Sequence, residues 1–386
     1  MKENRKLRIA FFLSTNLRVG AGIENVFVSY AKNKPDFVEL SIIQTNFMNY
    51  KRMSEAEYKE IMNNAKIVTL DPFFGKIVKI TSQLGDFGLL VNIILNKIAK
   101  LLFHNVLRSA FNEYDVIYLG SNILSGLLSS DLCLVGSQHD GLYLHTGSNK
   151  IKKLKIKLIN SGFLYRNIKG FHIFPAFSEE ANLLNSKINF VLPPKGIDLT
   201  AYKENKREGS PKFLFVGRLF ECKGIIFLVK LWTKNNIDGE LHIVGDGPLA
   251  NWVESMSDGL KIIYHKTVSS EELTNIYIKS DIFLAPTSCD TFSTVISEAL
   301  MFGCFPIMSE LVSENYSNFI ISDNAQSLEL TADKWLESIQ THIRSIEIIR
   351  ETSKIRRELA IKLLNSQTIS YSFYENLSSI FRHINI

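Results

Sequence analysis

Cysteine is scarce in this chain: Cys133, Cys222, Cys289 and Cys304 are the only thiols among 386 residues. They show neither C-x-x-C spacing nor histidine pairing of the zinc kind, so no structural zinc site and no disulfide framework is expected. Scattered thiols of this sort fit a reducing cytoplasm. No uninterrupted apolar run reaches the ~18 residues of a membrane span. The best candidate, residues 87–103, is broken by Asn92, Asn96, Lys97 and Lys100. The first eight residues carry Lys2, Arg5, Lys6 and Arg8 and lead directly into the strand-like 9–13. Without a long apolar region or a small-residue cleavage site there, no export signal is expected. Zinc-finger, homeodomain and RNA-recognition patterns are missing too, and the basic residues are not interleaved with aromatics, which argues against a nucleic-acid partner.

What is present belongs to a globular protein: 46% hydrophobic and 22% charged residues. At this length one ordinary core is insufficient, and two or three domains are expected. The net charge of +5 hides an asymmetry. Residues 1–200 carry 25 Lys and Arg against 16 Asp and Glu, a net +9, while the remainder carries 19 against 23, a net −4. A basic half of this kind is expected to meet something anionic, either a membrane surface or a phosphate-bearing acceptor.

Strand-like and helical stretches alternate along the first half. Residues 7–13, 38–44 and 65–70 read as strands, with a helix over 54–63, and this alternation predicts an α/β fold with a parallel sheet. Residues 87–111 form a long helical stretch, either a core helix or one with a face on lipid and Lys97, Lys100 and Arg108 near head groups. Residues 115–120 and 132–135 read as strands, followed by His139. Lys150, Lys152, Lys153, Lys155 and Lys157 then alternate with apolar residues, which suits a solvated helix face or an anionic-membrane contact. Gly20-x-Gly22 follows the first strand, where glycines let backbone amides approach a ligand closely. It lacks the third glycine and ribose-binding acid of a dinucleotide fingerprint, which counts against a nicotinamide dehydrogenase.

In the second half, a strand from Lys212 ends at Gly217, and Arg218 and Lys223 follow with four residues between them. Residues 240–248 form a strand and glycine turn. After Val268, Ser269 or Ser270 with Glu271 or Glu272 supplies a capping pattern for a helix through Leu273. Asp281 to Ala285 is a short buried strand ended by Pro286. A helix should start near Ser293 or Thr294, either of which can cap it, with Val295, Ile296, Ala299 and Leu300 inward and Gly303 ending it. This places Asp290 in a loop and Glu298 one turn into the helix. A strand end, helix N-terminal amides and two carboxylates suit a polar, anionic ligand, because amides bind phosphate and carboxylates accept from hydroxyls.

An acid, seven residues, a second acid and then Ala-Leu-Met-x-Gly-x-x-Pro, here Asp290 to Pro306, resembles the donor-site signature of the family-4 retaining glycosyltransferases. The usual first acid is Glu, and Ser293 stands where Gly is usual. The resemblance implies a GT-B fold, two Rossmann-like domains facing a central cleft, and a nucleotide-diphospho-sugar donor. It implies that Asp290 hydrogen-bonds the transferred sugar, that Glu298 holds the ribose, and that Arg218 and Lys223, beside Gly217, neutralise the diphosphate. With two fixed cations, no metal is expected. His139 resembles the family's histidine that contacts the donor sugar, although a structural histidine fits equally. Gly20 and Gly22 resemble its N-terminal glycine loop. The turn at Val268 and the helix with Leu273 correspond to the region that reads the base, where the usual aromatic-Gly has become His265-Lys266-Thr267. Phe292, Ser293 and Thr294 complete the expected donor site.

The expected domains are residues 1–203, binding acceptor, with a C-terminal helix over 370–386 packed back on it, and residues 204–369, binding donor. Tyr202 to Pro211 is expected to be the linker, and beyond the segment Ser309 to Asn315 helices are expected to run to the end. The leading function is a cytoplasmic sugar transferase building a bacterial surface polysaccharide or glycolipid on a saccharide or lipid-linked acceptor, at an anionic membrane surface. Alternatives are a sugar-nucleotide epimerase of the same fold and a non-catalytic partner subunit. The absence of a pyridoxal phosphate lysine motif weighs against a phosphorylase.

Overall fold

A computed structural model describes residues 5–13, 16–19, 22–45, 53–70, 98, 100–102, 104–137, 157, 160–161, 165–175, 184, 188–193, 195–197, 207–290 and 292–384. The chain forms two compact units, Met1–Lys195 with Ser366–Ile386, and Gly196–Asn365. Each is organised around one parallel sheet.

In the first unit, strands β1 (Leu7–Phe12), β2 (Val38–Gln44), β3 (Ala65–Thr69), β4 (Val116–Leu119), β5 (Leu134–Ser137), β6 (Ile168–Ile173) and β7 (Ile188–Val191) lie in the order β3-β2-β1-β4-β5-β6-β7. Side chains on a strand alternate between faces, and β1 shows the consequence. Ile9 and Phe11 join the core on one side of the sheet, while Ala10 and Phe12 join that on the other. Helix α1 (Gly22–Lys32) and the helix α2 (Glu55–Asn64), capped by the Ser54 hydroxyl, link the first three strands. Of the long stretch expected over 87–111, residues 87–97, 99 and 103 lie outside the described residues, and α3 (His104–Phe111) ends it. Leu107 and Phe111 are buried, but Leu101 is 82% exposed and Leu102 69%, so this stretch is not a core helix throughout.

The second unit repeats the topology. Strands β8 (Lys212–Val216), β9 (Glu240–Val244), β10 (Ile262–Tyr264), β11 (Ile282–Ala285), β12 (Phe305–Ser309) and β13 (Gln326–Leu328) lie in the order β10-β9-β8-β11-β12-β13. Helices α4 (Ile225–Lys234), α5 (Ala250–Met256), α6 (Ser270–Lys279) and α7 (Thr294–Met301) provide the crossovers between its first strands. In both sheets the chain moves outward from its first strand, then returns to place the fourth on the other side. The crevice between the C-terminal ends of those two strands is the natural ligand position of such a sheet. In the second unit those strands are β8 and β11.

Three expectations about the second half need correction. First, the division falls at Lys195/Gly196, not near 203, and the return to the first unit starts at Ser366, not 370. Ile197 donates to the Leu364 carbonyl at 2.7 Å and pairs with Asn365. Arg207 donates to the carbonyls of Ile278, Phe302 and Gly303, so this part of the expected linker is anchored to the second unit. Second, residues beyond the 309–315 segment are not all helical, because β13 interrupts them. A three-residue Gln-Ser-Leu strand at a sheet edge carries too little apolar pattern to be seen in sequence. Third, Ser293 is the N-cap of α7, but its side chain makes no capping hydrogen bond.

The last helix, α8 (Ser366–Ile384), buries Phe373, Tyr374, Leu377 and Ile380 in the first unit's core. Phe373 stacks on Tyr30 with 3.9 Å between ring centroids and meets Tyr118 edge-on at 4.9 Å. Among the described residues no helix is long and apolar enough to cross a membrane.

Candidate active site

The loop after β8 is shaped by a short 3-10 turn, Glu221–Lys223, closed by Gly224 in the left-handed conformation (φ 78°). A Cβ on Gly224 would stand 2.2 Å from the Pro286 carbonyl oxygen, a distance no side chain tolerates. Only glycine both turns the chain and lets this loop touch the loop after β11. The contact continues alongside, where Ser288 donates its amide (2.8 Å) and its hydroxyl (3.1 Å) to the Cys222 carbonyl. Lys223 Nζ then reaches the Asp290 carboxylate. These two sequence-predicted residues are therefore brought together, with 19% and 18% of their side chains exposed.

Arg218 also lies past the end of β8. It is exposed, with its guanidinium 5.3 Å from the centre of the Phe220 ring. Gly217 starts the loop, its amide donating to the Val244 carbonyl.

Helix α7 carries the second carboxylate. Ile296, Ala299 and Leu300 are fully buried, which fixes the face that Glu298 does not share. The helix ends as a Schellman motif, with Gly303 N–H to Leu300 O and Cys304 N–H to Ala299 O, both 2.9 Å. Tyr277, on α6, donates its hydroxyl to Glu298 Oε2 at 3.1 Å. Burial, and next the charge of Glu298, hold the Tyr277 pKa well above its ordinary value, so it remains a donor. At the start of α7, Ser293 has φ −98° and ψ 95°, ordinary extended backbone, so serine in place of glycine costs no strain there.

Val268, Leu273 and Phe292 pack half-buried against one cluster with Val295. The capping box between Ser269 and Glu272 fixes the start of α6. Before it, Lys266 has φ 49° and its carbonyl accepts from Gly245 N–H at 3.0 Å. The lysine thus occupies a left-handed position, which glycine adopts without strain, in the segment where the usual aromatic-Gly is missing. Thr294 is the first residue of α7.

Tyr316 was invisible in the sequence. It donates to the Ser293 carbonyl at 2.6 Å, lies 2.9 Å from Ser297 Oγ and stacks on Phe292 at 5.8 Å. It therefore holds the loop between Asp290 and α7 from beneath, although no local motif marks it. Gly20 and His139 lie outside the described residues, and Gly22 is the first residue of α1. Among the described residues, no group of three or more His, Cys, Asp or Glu side chains could hold a metal ion.

Residues 198–352, which contain all of these second-unit groups, match the family model described as glycosyl transferases group 1. Over residues 198–352 the second unit is thus similar to the group 1 glycosyltransferases. An alpha-mannosyltransferase of Corynebacterium glutamicum, named as GDP-mannose-dependent, is 32% identical over 120 residues, 28% of each chain. A sulfoquinovosyl transferase of Arabidopsis thaliana is 26% identical over 99 residues, 26% of this chain and 19% of its own. The alignments thus span about a quarter of these relatives. Solved structures match over nearly the whole chain. A sucrose-phosphate synthase of Thermosynechococcus elongatus superposes with TM-score 0.69 at 14% identity, covering 98% of this chain and all of its own. Anabaena HepE in complex with UDP gives 0.66 at 15% identity, covering 97% and 100%. Two Rossmann-like units in one chain, matched by these structures over nearly its whole length, make a GT-B fold.

Proposed function

We propose that this chain is a retaining glycosyltransferase that takes its sugar from a nucleotide-diphospho-sugar, bound by the loops after β8 and β11. The observation that carries the reading is the meeting of Lys223 with Asp290 where the strand order reverses. A half-buried cation and carboxylate paired with each other suit a ligand that offers anionic oxygens to one and hydroxyls to the other. A sugar nucleotide has both. A neighbour of this fold has been solved with UDP and with UDP-glucose, which supports that donor class.

In this reading Lys223 and Arg218 take the diphosphate and stabilise the charge that builds on the departing nucleoside diphosphate. Glu298, oriented by Tyr277, accepts from the ribose, and Asp290 accepts from the transferred sugar. Val268, Leu273 and Phe292 border the base. His139 and the Gly20–Gly22 loop belong to the first unit, which binds the acceptor. No metal is required where two fixed cations do this work.

The acceptor is a saccharide, lipid-linked and held at the cytoplasmic face of a membrane, as the assembly of a surface polysaccharide or glycolipid would need. The +9 charge of residues 1–200 and the exposed Leu101 and Leu102 beside Lys100 support this part. Of the lysine cluster, Lys150, Lys152, Lys153 and Lys155 lie outside the described residues, and Lys157 is exposed. Each lysine near an anionic leaflet contributes about 1 kcal/mol, screened as the Debye length falls from about 10 Å at 0.1 M salt to about 3 Å at 1 M. Co-sedimentation with anionic vesicles should therefore be strong at low salt and weak at high salt. Indifference to vesicles at low salt would point to a soluble acceptor.

The donor reading is tested by thermal shift against UDP, GDP, ADP and their sugars, followed by donor hydrolysis without acceptor. A ligand that binds only the folded chain adds about 2.7 kcal/mol at a hundred times its Kd. One nucleotide series should raise the melting temperature, and its sugar should be hydrolysed slowly but steadily. No shift and no hydrolysis with any of them would leave the non-catalytic partner as the better reading.

A further inference from the structure

The two loops that meet after β8 and β11 carry a cysteine immediately before each member of the Lys223–Asp290 pair, namely Cys222 and Cys289. Both are free and exposed, whereas Cys133 and Cys304 are buried. Three clips hold the loops side by side at this point: Gly224 against Pro286, Cys222 O against Ser288, and Lys223 against Asp290. Cys222 and Cys289 fall between the second clip and the third. Burial, and next the neighbouring Cys222 side chain, raise the Cys289 pKa above the ordinary thiol value.

We propose that Cys222 and Cys289 are a redox dithiol that a disulfide oxidant, such as glutathione disulfide, closes into one intramolecular disulfide across the two loops. A disulfide needs Cα atoms about 4.4–6.8 Å apart, and the Ser288 amide on the Cys222 carbonyl brings the two backbones side by side one residue from Cys289. In the first step the Cys222 thiolate attacks one sulfur of glutathione disulfide, forming a mixed disulfide and expelling one glutathione thiolate, which takes up a proton. In the second, Cys289 loses its proton to solvent and attacks the Cys222 sulfur of the mixed disulfide, expelling the second glutathione. The protein gives up two electrons and the oxidant is reduced to two thiols. Cys289, kept protonated by its surroundings, is the resolving thiol, and the exposed Cys222 is the attacking one.

The consequence for ligand binding rests on the donor-site reading above. The bond ties the loops in the arrangement where Lys223 is engaged by Asp290, so the lysine is less available to a diphosphate. Nucleoside diphosphate binding should weaken about five- to tenfold in the oxidised chain, within the usual range for coupling between two sites. Dithiothreitol should restore it.

The test oxidises the full reduced chain with glutathione disulfide, blocks remaining thiols with iodoacetamide and maps the peptides by mass. The expected product is one cross-linked peptide pair, Cys222–Cys289, with Cys133 and Cys304 alkylated only after unfolding. Cys222→Ser and Cys289→Ser should each abolish the cross-link. Separate glutathione adducts on the two cysteines, or no reaction under conditions that oxidise an exposed dithiol peptide, would overturn the proposal. UDP, GDP and ADP are then titrated into both forms of wild type and Cys222→Ser. A cross-link without any change in nucleotide affinity overturns the regulatory half. A cross-link in a chain that binds no nucleotide in either form upholds the dithiol and contradicts the donor-site reading instead.

Discussion

In the first unit, the imidazole of His172 lies entirely inside the core, with Nε2 donating to the Leu192 carbonyl and Nδ1 accepting from the Tyr118 hydroxyl, both 2.8 Å. In the second, Lys223 and Asp290 meet at the ends of two strands with about a fifth of each side chain still exposed. Both are polar pairs, yet they do different work. Burying a polar group is costly unless every donor and acceptor is met, and His172 meets both, so its cluster belongs to the fold. A charged pair left partly in water at the crevice of a parallel sheet can be opened by a ligand with little desolvation still to be overcome. Complete satisfaction marks structure here, and incomplete burial at a strand end marks the proposed site.

The sharpest way to break this comparison is to remove a core ring. Phe373→Ala takes away the stacking on Tyr30 and the edge contact with Tyr118. It should cost about 3–5 kcal/mol of first-unit stability by denaturant unfolding. Nucleotide affinity, measured where the chain is still folded, should stay unchanged. A matching loss of affinity would show that the two regions are not separable in the way described.

The converse substitution is Lys223→Ala. If the lysine supplies a typical electrostatic contribution to the transition state, turnover should fall roughly 10²- to 10³-fold while the unfolding curve hardly moves. Arg218→Ala should act in the same direction. Full activity in Lys223→Ala would remove that residue from the chemistry.

A change of pH separates the regions next. Burial lowers the His172 pKa to about 4. An unfolded histidine titrates near ~6.5, so between these values the unfolded chain binds a proton that the folded chain refuses. Its contribution is therefore present above pH ~6.5 and is lost as pH falls towards 4, up to about 3 kcal/mol. Denaturant unfolding at pH 7 and pH 4.5 should show wild type losing more than His172→Gln. Equal losses would mean that the imidazole is not held neutral.

The smallest effect should come from Tyr277→Phe, which removes the hydroxyl that orients Glu298. One hydrogen bond of this kind contributes about 1 kcal/mol, so nucleotide affinity should fall about fivefold in calorimetry. No change would leave Tyr277 as packing alone.

How much of this was legible depended on whether a residue acts locally. The strands at 38–44 and 240–244, the Ser269–Glu272 capping box and the Gly303 helix end follow from patterns a few residues long, and the structure places them there. The spacing of Asp290 and Glu298 was legible for the same reason. Tyr316 was not, because its hydroxyl meets a backbone carbonyl 23 residues upstream. Nor was the anchoring of Arg207, whose three carbonyl partners lie 71 to 96 residues away. A polar, charged stretch reads as a linker when its partners are invisible. Strand β13 fails on length alone, since three residues give no period to count.

The division of the donor proposed for Asp290 and Glu298 has one carboxylate meeting the sugar and the other the nucleotide. It is tested by titrating the bare nucleoside diphosphate that binds wild type into Asp290→Asn and Glu298→Gln. Glu298→Gln should bind about tenfold more weakly, because a ribose hydroxyl loses a charged acceptor. Asp290→Asn should bind within about twofold of wild type, a difference below ~0.5 kcal/mol. Equal deficits in the two variants toward the bare nucleotide would contradict the account.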